Sequence, residues 1–85
     1  MDCIATMLSG NYVFHLCRIL EKQGYVFEVA STPCQIAKEG CGYCLKFPAE
    51  YTDLVVGTGK QNGLPIREIY KIVPMFNKNR YERIY

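Results

Sequence analysis

The stretch that decides the fold is SGNYVFHLCRILEKQGYVFEVA, residues 9–30. Four apolar residues in its first half recur with the spacing of one helix face: Val13, Leu16, Cys17 and Leu20. Ser9 is typical of a residue that caps a helix N-terminus, and Gly24 is typical of a helix stop. Residues 25–30 are rich in aromatic and β-branched side chains with alternating polarity. The stretch therefore predicts an amphipathic helix followed by a strand.

The flanking sequence extends this pattern on both sides. Residues 3–8 are almost all apolar and predict a buried strand before the helix. Further strands are predicted over 41–47 and 66–73, with a second helix that begins near Pro48 between them. The order β-α-β-β-α-β predicts an α+β fold of the ferredoxin-like, split-βαβ type. We expect a four-stranded antiparallel sheet with two helices on one face.

The chain has 85 residues, which is the size of one small domain. We assign residues 1–74 to a single α+β domain and residues 75–85, which show no period, to a C-terminal tail. Because a chain of this length buries only about 60–65% of its unfolded surface, its stability margin is thin. Formation of a homodimer would bury more surface and raise the stability, and a homodimer is one of the expected states.

Composition and charge exclude several classes of function. The formal net charge is only +2, so no strong basic footprint for nucleic acid is present. No apolar run approaches the roughly 20 residues that cross a bilayer, and we expect neither a membrane partner nor a signal peptide. The five cysteines are an odd number, which favours reduced thiols over a disulfide framework. We therefore expect a cytoplasmic protein.

The predicted topology brings cysteines toward a helix terminus. In a split-βαβ fold the ends of the first and second strands meet at one edge of the sheet, where the first helix begins. The helix N-terminus around Ser9, Gly10 and Asn11 carries partial positive charge and favours anions. A thiolate brought there would have a lowered pKa. Cys41 and Cys34, which follow the second strand, are the candidates.

Cys41 and Cys44 form a Cys-x-x-Cys pair at the start of the predicted third strand. If the strand begins at Cys41, the two Cα atoms lie about 10 Å apart, which excludes a disulfide; a turn at that point would permit one. Strand alternation turns Cys44 away from the core, so we expect an exposed thiol or one at a dimer surface. Cys3 and Cys17 lie at apolar positions and are expected in the core.

A zinc site is a further alternative. Cys34, Cys41 and Cys44 could combine with His15 or Cys17 as a fourth ligand. The spacing lacks the second Cys-x-x-Cys that is typical of structural zinc sites, and His15 falls on the polar face of the helix. We therefore predict no resident metal and no cofactor.

Several short stretches resemble the selenium/sulfur carrier-like family, a group of small bacterial proteins. They are Ser31-Thr-Pro33, Ile36, Gly40-Cys41-Gly42 and Leu45-Lys-Phe47-Pro48. The resemblance spans roughly residues 3–73. It implies that Cys41 is the family's cysteine, that Pro33 and Gly42 are its neighbours, and that a partner protein donates or accepts the carried atom.

We therefore expect a thiol-based sulfur or selenium carrier, or a redox accessory protein, that acts through Cys41. Cys44 or Cys34 would supply a second thiol, and Ser9, Gly10 and Asn11 would support the thiolate. The alternative is a non-catalytic module that binds a protein or dimerises, and the zinc domain is third. Whether the chain is an enzyme stays open.

Overall fold

The computed structural model describes residues 1–37 and 42–85. Cys41, the central residue of the sequence-based prediction, lies outside the described residues. The elements in chain order are β1 (Asp2–Met7), α1 (Gly10–Lys22), β2 (Glu28–Ser31), β3 (Tyr43–Pro48), a 3₁₀ turn (Ala49–Tyr51), α2 (Thr52–Gln61), β4 (Ile66–Pro74) and β5 (Asn79–Arg83). The protein is an α+β fold of two helices and a five-stranded antiparallel sheet. No described helix has the length and hydropathy that a membrane span needs.

The strands lie in the order β2-β3-β1-β4-β5. The sequence predicts four strands, whereas the described sheet has a fifth. β5 lies within residues 75–85 and pairs antiparallel with β4, with Arg80 opposite Val73. Its residues are mostly exposed, and Tyr81 packs on the helix-free face. The strand is therefore held mainly by backbone pairing with β4, and no apolar period marks it in the sequence.

Both helices pack on one face of the sheet and form the main core. α1 contributes three buried side chains at the predicted spacing: Val13, Leu16 and Leu20. They meet sheet residues such as Leu45, Phe47 and Ile69, and Val55 from α2. Burial of one such side chain stabilises the fold by about 1.5–3 kcal/mol, so this layer supplies most of the stability.

The predicted boundaries of α1 are confirmed. The Ser9 hydroxyl accepts a hydrogen bond from the Tyr12 N–H (3.4 Å), which satisfies a free amide of the first turn. At the other end Gly24 adopts φ +96°, the left-handed conformation that glycine tolerates best. These two residues fix the position of α1 over the sheet.

Two strands begin later than the sequence predicts. β2 starts at Glu28 rather than Tyr25. Tyr25 and Phe27 precede the strand and pack with Tyr51 in an aromatic cluster. β3 is described from Tyr43 rather than from Cys41.

The face of the sheet without helices has a small core of its own. Ile4 and Cys44 are buried there beneath Ile36, which belongs to the β2–β3 connection. A hydrogen-bonded turn holds Ile36, since the carbonyl of Pro33 accepts bonds from the N–H groups of Ile36 and Ala37 (both 2.9 Å). Cys44 does turn away from the helices, but the expectation that it is exposed or at a dimer surface is wrong, because its accessible fraction is 0%.

Candidate thiol site at the start of helix α1

The ends of β1 and β2 lie at one edge of the sheet, as the topology predicts. Both strands pair antiparallel with β3, and Ala5 and Val29 lie opposite the same residue, Leu45. β1 and β2 therefore run in the same direction. Ser9, which follows β1, and Ser31, which ends β2, lie at the edge where α1 begins.

The start of β3 packs against the first turn of α1. The Tyr43 ring lies against Gly10, where an added Cβ would come within 3.0 Å of the ring carbon Cδ2. The same ring meets Phe14 edge to face, with the centroids 5.2 Å apart. Gly10 therefore allows the ring to approach the helix closely, and Tyr43, two residues after Cys41 in the chain, packs at the N-terminus of α1.

The residue that follows Cys41 is also held in place. The Thr32 N–H donates a hydrogen bond to the carbonyl of Gly42 (2.8 Å), which continues the β2–β3 ladder by one step. A Cβ on Gly42 would lie 3.7 Å from the Thr32 hydroxyl, an ordinary contact. Cys41 is bonded to this fixed Gly42, and its own role stays a prediction.

Cys34 lies in the turn that carries Ile36, and its side chain is exposed. Because Ile36 packs on the helix-free face, this turn is held on the side of the sheet opposite α1. Cys34 is thus a free surface thiol. The described contacts do not bring it to the amides of Gly10 and Asn11.

The thiol of Cys44 is enclosed rather than available. Its Sγ lies 3.9 Å from the carbonyl oxygen of Ser31 in the neighbouring strand. Burial raises the pKa of Cys44, and the nearby Thr32 hydroxyl and Lys46 ammonium oppose this only in part. A buried thiol with a raised pKa is a poor nucleophile at neutral pH.

Cys3 and Cys17 belong to the core, as the sequence predicts. Cys3 is fully buried, and Cys17 is half-buried with its Sγ 3.4 Å from the carbonyl of Phe27. Burial raises the pKa of Cys3 despite the opposing charge of Lys71. Burial likewise raises the pKa of Cys17, and the Glu21 carboxylate adds to that effect.

The zinc alternative finds little geometric support. Across residues 1–37 and 42–85, no three His, Cys, Asp or Glu side chains come together as a metal site would need. Cys17 packs on the helix side of the sheet and Cys44 on the other, so one ion cannot bind both. His15 is exposed on α1, as predicted.

The sequence pattern does not predict that Phe14 and Tyr43 form an exposed aromatic pair beside this site. Alternation along β3 places Tyr43 on the same face as Leu45 and Phe47, which is the helix side of the sheet. Tyr43 nevertheless remains half exposed, because it lies at the rim of the core where α1 begins. The available signal in the sequence was Gly10, which leaves space for an aromatic ring at the start of α1.

Comparison with known proteins gives one family and no individual relative. No curated protein and no solved structure matches the chain. A family model described as "Putative Se/S carrier protein-like" matches residues 2–71, which includes every element from β1 to most of β4. The chain belongs to this Se/S carrier protein-like family.

Proposed function

We propose that the protein carries sulfur or selenium as an atom bound to the thiol of Cys41, which it receives from one partner protein and passes to another. The family supports a carrier role at the level of its description. The observation that carries the proposal to this residue is the packing of Tyr43 on Gly10, because it anchors the chain two residues after Cys41 at the start of α1.

The electrostatics of that helix end favour a thiolate. The first amides of a helix have no partner within the helix, and the dipole adds partial positive charge. The Ser9 hydroxyl accepts from Tyr12, which leaves the amides of Gly10 and Asn11 for an anion. A thiolate near them would have a pKa below the ordinary value of about 8.5.

The reaction is a transfer of one sulfane sulfur atom. The Cys41 thiolate attacks the terminal sulfur of a donor persulfide, an Sγ–S bond forms, and the donor's S–S bond breaks. The donor leaves as a thiolate and Cys41 becomes a persulfide, so no external oxidant or reductant is needed. A donor that presents selenium in the same bonding would react alike.

Cys34 is the better candidate for the second thiol. Cys34 is exposed, whereas Cys44 is fully buried and packs with Ile4 and Ile36. In the redox variant of the proposal, the turn that carries Cys34 moves from the helix-free face, the Cys34 thiolate attacks the inner sulfur of the Cys41 persulfide, and hydrosulfide leaves. The product is a Cys34–Cys41 disulfide. Pro33 precedes Cys34 and Gly42 follows Cys41, so these two residues would shape the backbone at each end of the segment that the disulfide closes.

The test is sulfur loading followed by mass spectrometry. The protein is incubated with a cysteine desulfurase and L-cysteine, and the peptide that contains Cys41 should gain the mass of one sulfur atom. Cys41→Ser should abolish the gain, whereas the matched controls Cys34→Ser and Cys44→Ser should retain it. An unmodified wild-type protein, or equal loading of Cys41→Ser, would contradict the proposal.

A non-catalytic module that binds protein or dimerises is the second candidate. We interpret strands β1–β4 as a ferredoxin-like unit to which β5 is added, and such units often act through a sheet face. This candidate predicts a homodimer in sedimentation experiments and no sulfur loading.

Sulfur carriage requires reduced thiols and so fits a cytoplasmic location better than an oxidising one.

A further inference from the structure

Three large apolar side chains lie exposed around the start of α1. Leu8 is 67% exposed in the turn before the helix, and Phe14 and Tyr43 are each 50% exposed. We call these three side chains the α1 apolar surface. Phe14 and Tyr43 are in contact, and Leu8 lies two residues before the helix. Exposed apolar side chains that lie near one another are typical of interaction sites.

The aromatic part of this surface is already ordered. Phe14 and Tyr43 meet edge to face with an interplanar angle of 63°, and the Tyr43 ring rests on Gly10. A partner that docks here does not have to order these rings first. Preorganisation of this kind lowers the entropic cost of association.

The polar groups next to the surface include one permanent cation, Arg18. A shallow depression of about 230 Å³ adjoins it, lined by Asn11, Phe14, His15 and Arg18. Lys22 lies one turn beyond Arg18 on the same exposed face, and Glu21 is the acidic residue of that face, at the far end of the helix. The complement of Phe14 beside Arg18 is an apolar side chain with one carboxylate next to it.

We propose that the α1 apolar surface is the docking site of the protein that donates the sulfur, an enzyme that carries a persulfide on its own cysteine. This inference rests on the proposed function, because the surface adjoins Gly42, the neighbour of the proposed carrier thiol. The donor would place an apolar side chain on Phe14 and Tyr43 and a carboxylate against Arg18. Docking at this point brings its persulfide to the start of α1.

The test measures transfer from a cysteine desulfurase, with L-cysteine, as a function of carrier concentration. Phe14→Ser and Arg18→Glu should each raise KM about ten-fold, the loss expected for a central interface residue, with kcat unchanged. Phe76→Ser and Lys78→Glu are matched controls, because both side chains are exposed on the β4–β5 hairpin. They should leave KM unchanged.

Two further readouts separate docking from folding and from chemistry. Sodium polysulfide loads a thiol without a docking surface, so Phe14→Ser and Arg18→Glu should load from it at the wild-type rate. Added salt should raise KM for the wild type and lower it for Arg18→Glu, since the reversed charge replaces a screened attraction with a screened repulsion.

Equal KM values for wild type, Phe14→Ser and Arg18→Glu would overturn the docking proposal. A wild-type protein that loads from polysulfide but not from the desulfurase would overturn it too, while the carrier function stands. Loading from neither source would overturn the proposed function and the docking site with it.

Discussion

The sheet interior and the β2–β3 connection hold thiols of opposite character. Cys3 and Cys44 are fully buried on the two faces of the sheet, and burial raises the pKa of both. Cys34, in the connection, is exposed. The number of cysteines alone therefore says little about chemistry in this chain, because the interior cysteines act as small apolar side chains. We therefore assign the proposed sulfur chemistry to the connection, where Cys41 also falls in the sequence.

The largest effect expected from this comparison is in alkylation rates. In the native protein iodoacetamide should modify Cys34 at least about a thousand-fold faster than Cys3 or Cys44, since buried thiols react only through opening of the fold. Quantitative mass spectrometry of peptides over time measures all three rates in one sample. Comparable alkylation rates for Cys44 and Cys34 would contradict the contrast between a buried thiol in the sheet and an exposed thiol in the connection.

A second prediction removes the cover from one buried thiol. Ile36→Ala opens the helix-free face above Cys44, so the alkylation rate of Cys44 should rise about ten-fold more than that of Cys3. Loss of a buried isoleucine should also lower the free energy of unfolding by about 2 kcal/mol. Peptide mass spectrometry and urea unfolding give the two numbers. Equal acceleration of both thiols would mean that only global stability has changed.

A smaller effect is expected on stability from matched serine substitutions. Cys44→Ser buries a hydroxyl beside Ile4 and Ile36 and should cost about 1–2 kcal/mol of unfolding free energy. Cys34→Ser should change it by less than about 0.5 kcal/mol, because that side chain is at the surface. Urea denaturation of both variants checks the pair. A larger loss of unfolding free energy for Cys34→Ser than for Cys44→Ser would contradict the assignment of Cys44 to the interior and Cys34 to the surface.

The smallest predicted effect is the pH dependence of stability. The folded protein holds the protons of Cys3 and Cys44 more tightly than the unfolded chain does, because both pKa values are raised. Their contribution is complete below the unfolded pKa of about 8.5 and is lost as pH rises toward the folded values. Each thiol therefore lowers the free energy of unfolding by up to about 1.4 kcal/mol per pH unit there. In unfolding curves at increasing alkaline pH, Cys44→Ala should fall less steeply than the wild type, and an identical slope would contradict this assignment.

Local signals in the sequence predict much of this fold. The spacing of apolar residues gives α1, and Ser9 and Gly24 give its ends, because capping and helix termination depend on neighbouring backbone groups. β5 was not predictable in this way. It is a mostly exposed strand that exists through its pairing with β4, and pairing leaves no apolar period.

The candidate site shows the same division. The shared edge of β1 and β2 follows from topology, and the core positions of Cys3 and Cys17 follow from the apolar pattern. The burial of Cys44 does not, since strand alternation gives only its face, and Ile36 from the connection supplies the cover. Contacts between distant parts of the chain decide such cases.

The central claim is that the connection holds an activated thiol at Cys41, and its pKa tests this most directly. We propose to follow the alkylation rate of Cys41 against pH in the Cys34→Ser variant, which removes the competing surface thiol. The account predicts an apparent pKa clearly below about 8.5, the value for an ordinary free cysteine. An apparent pKa at or above that value would contradict the claim, and the protein would then be better explained as a binding module.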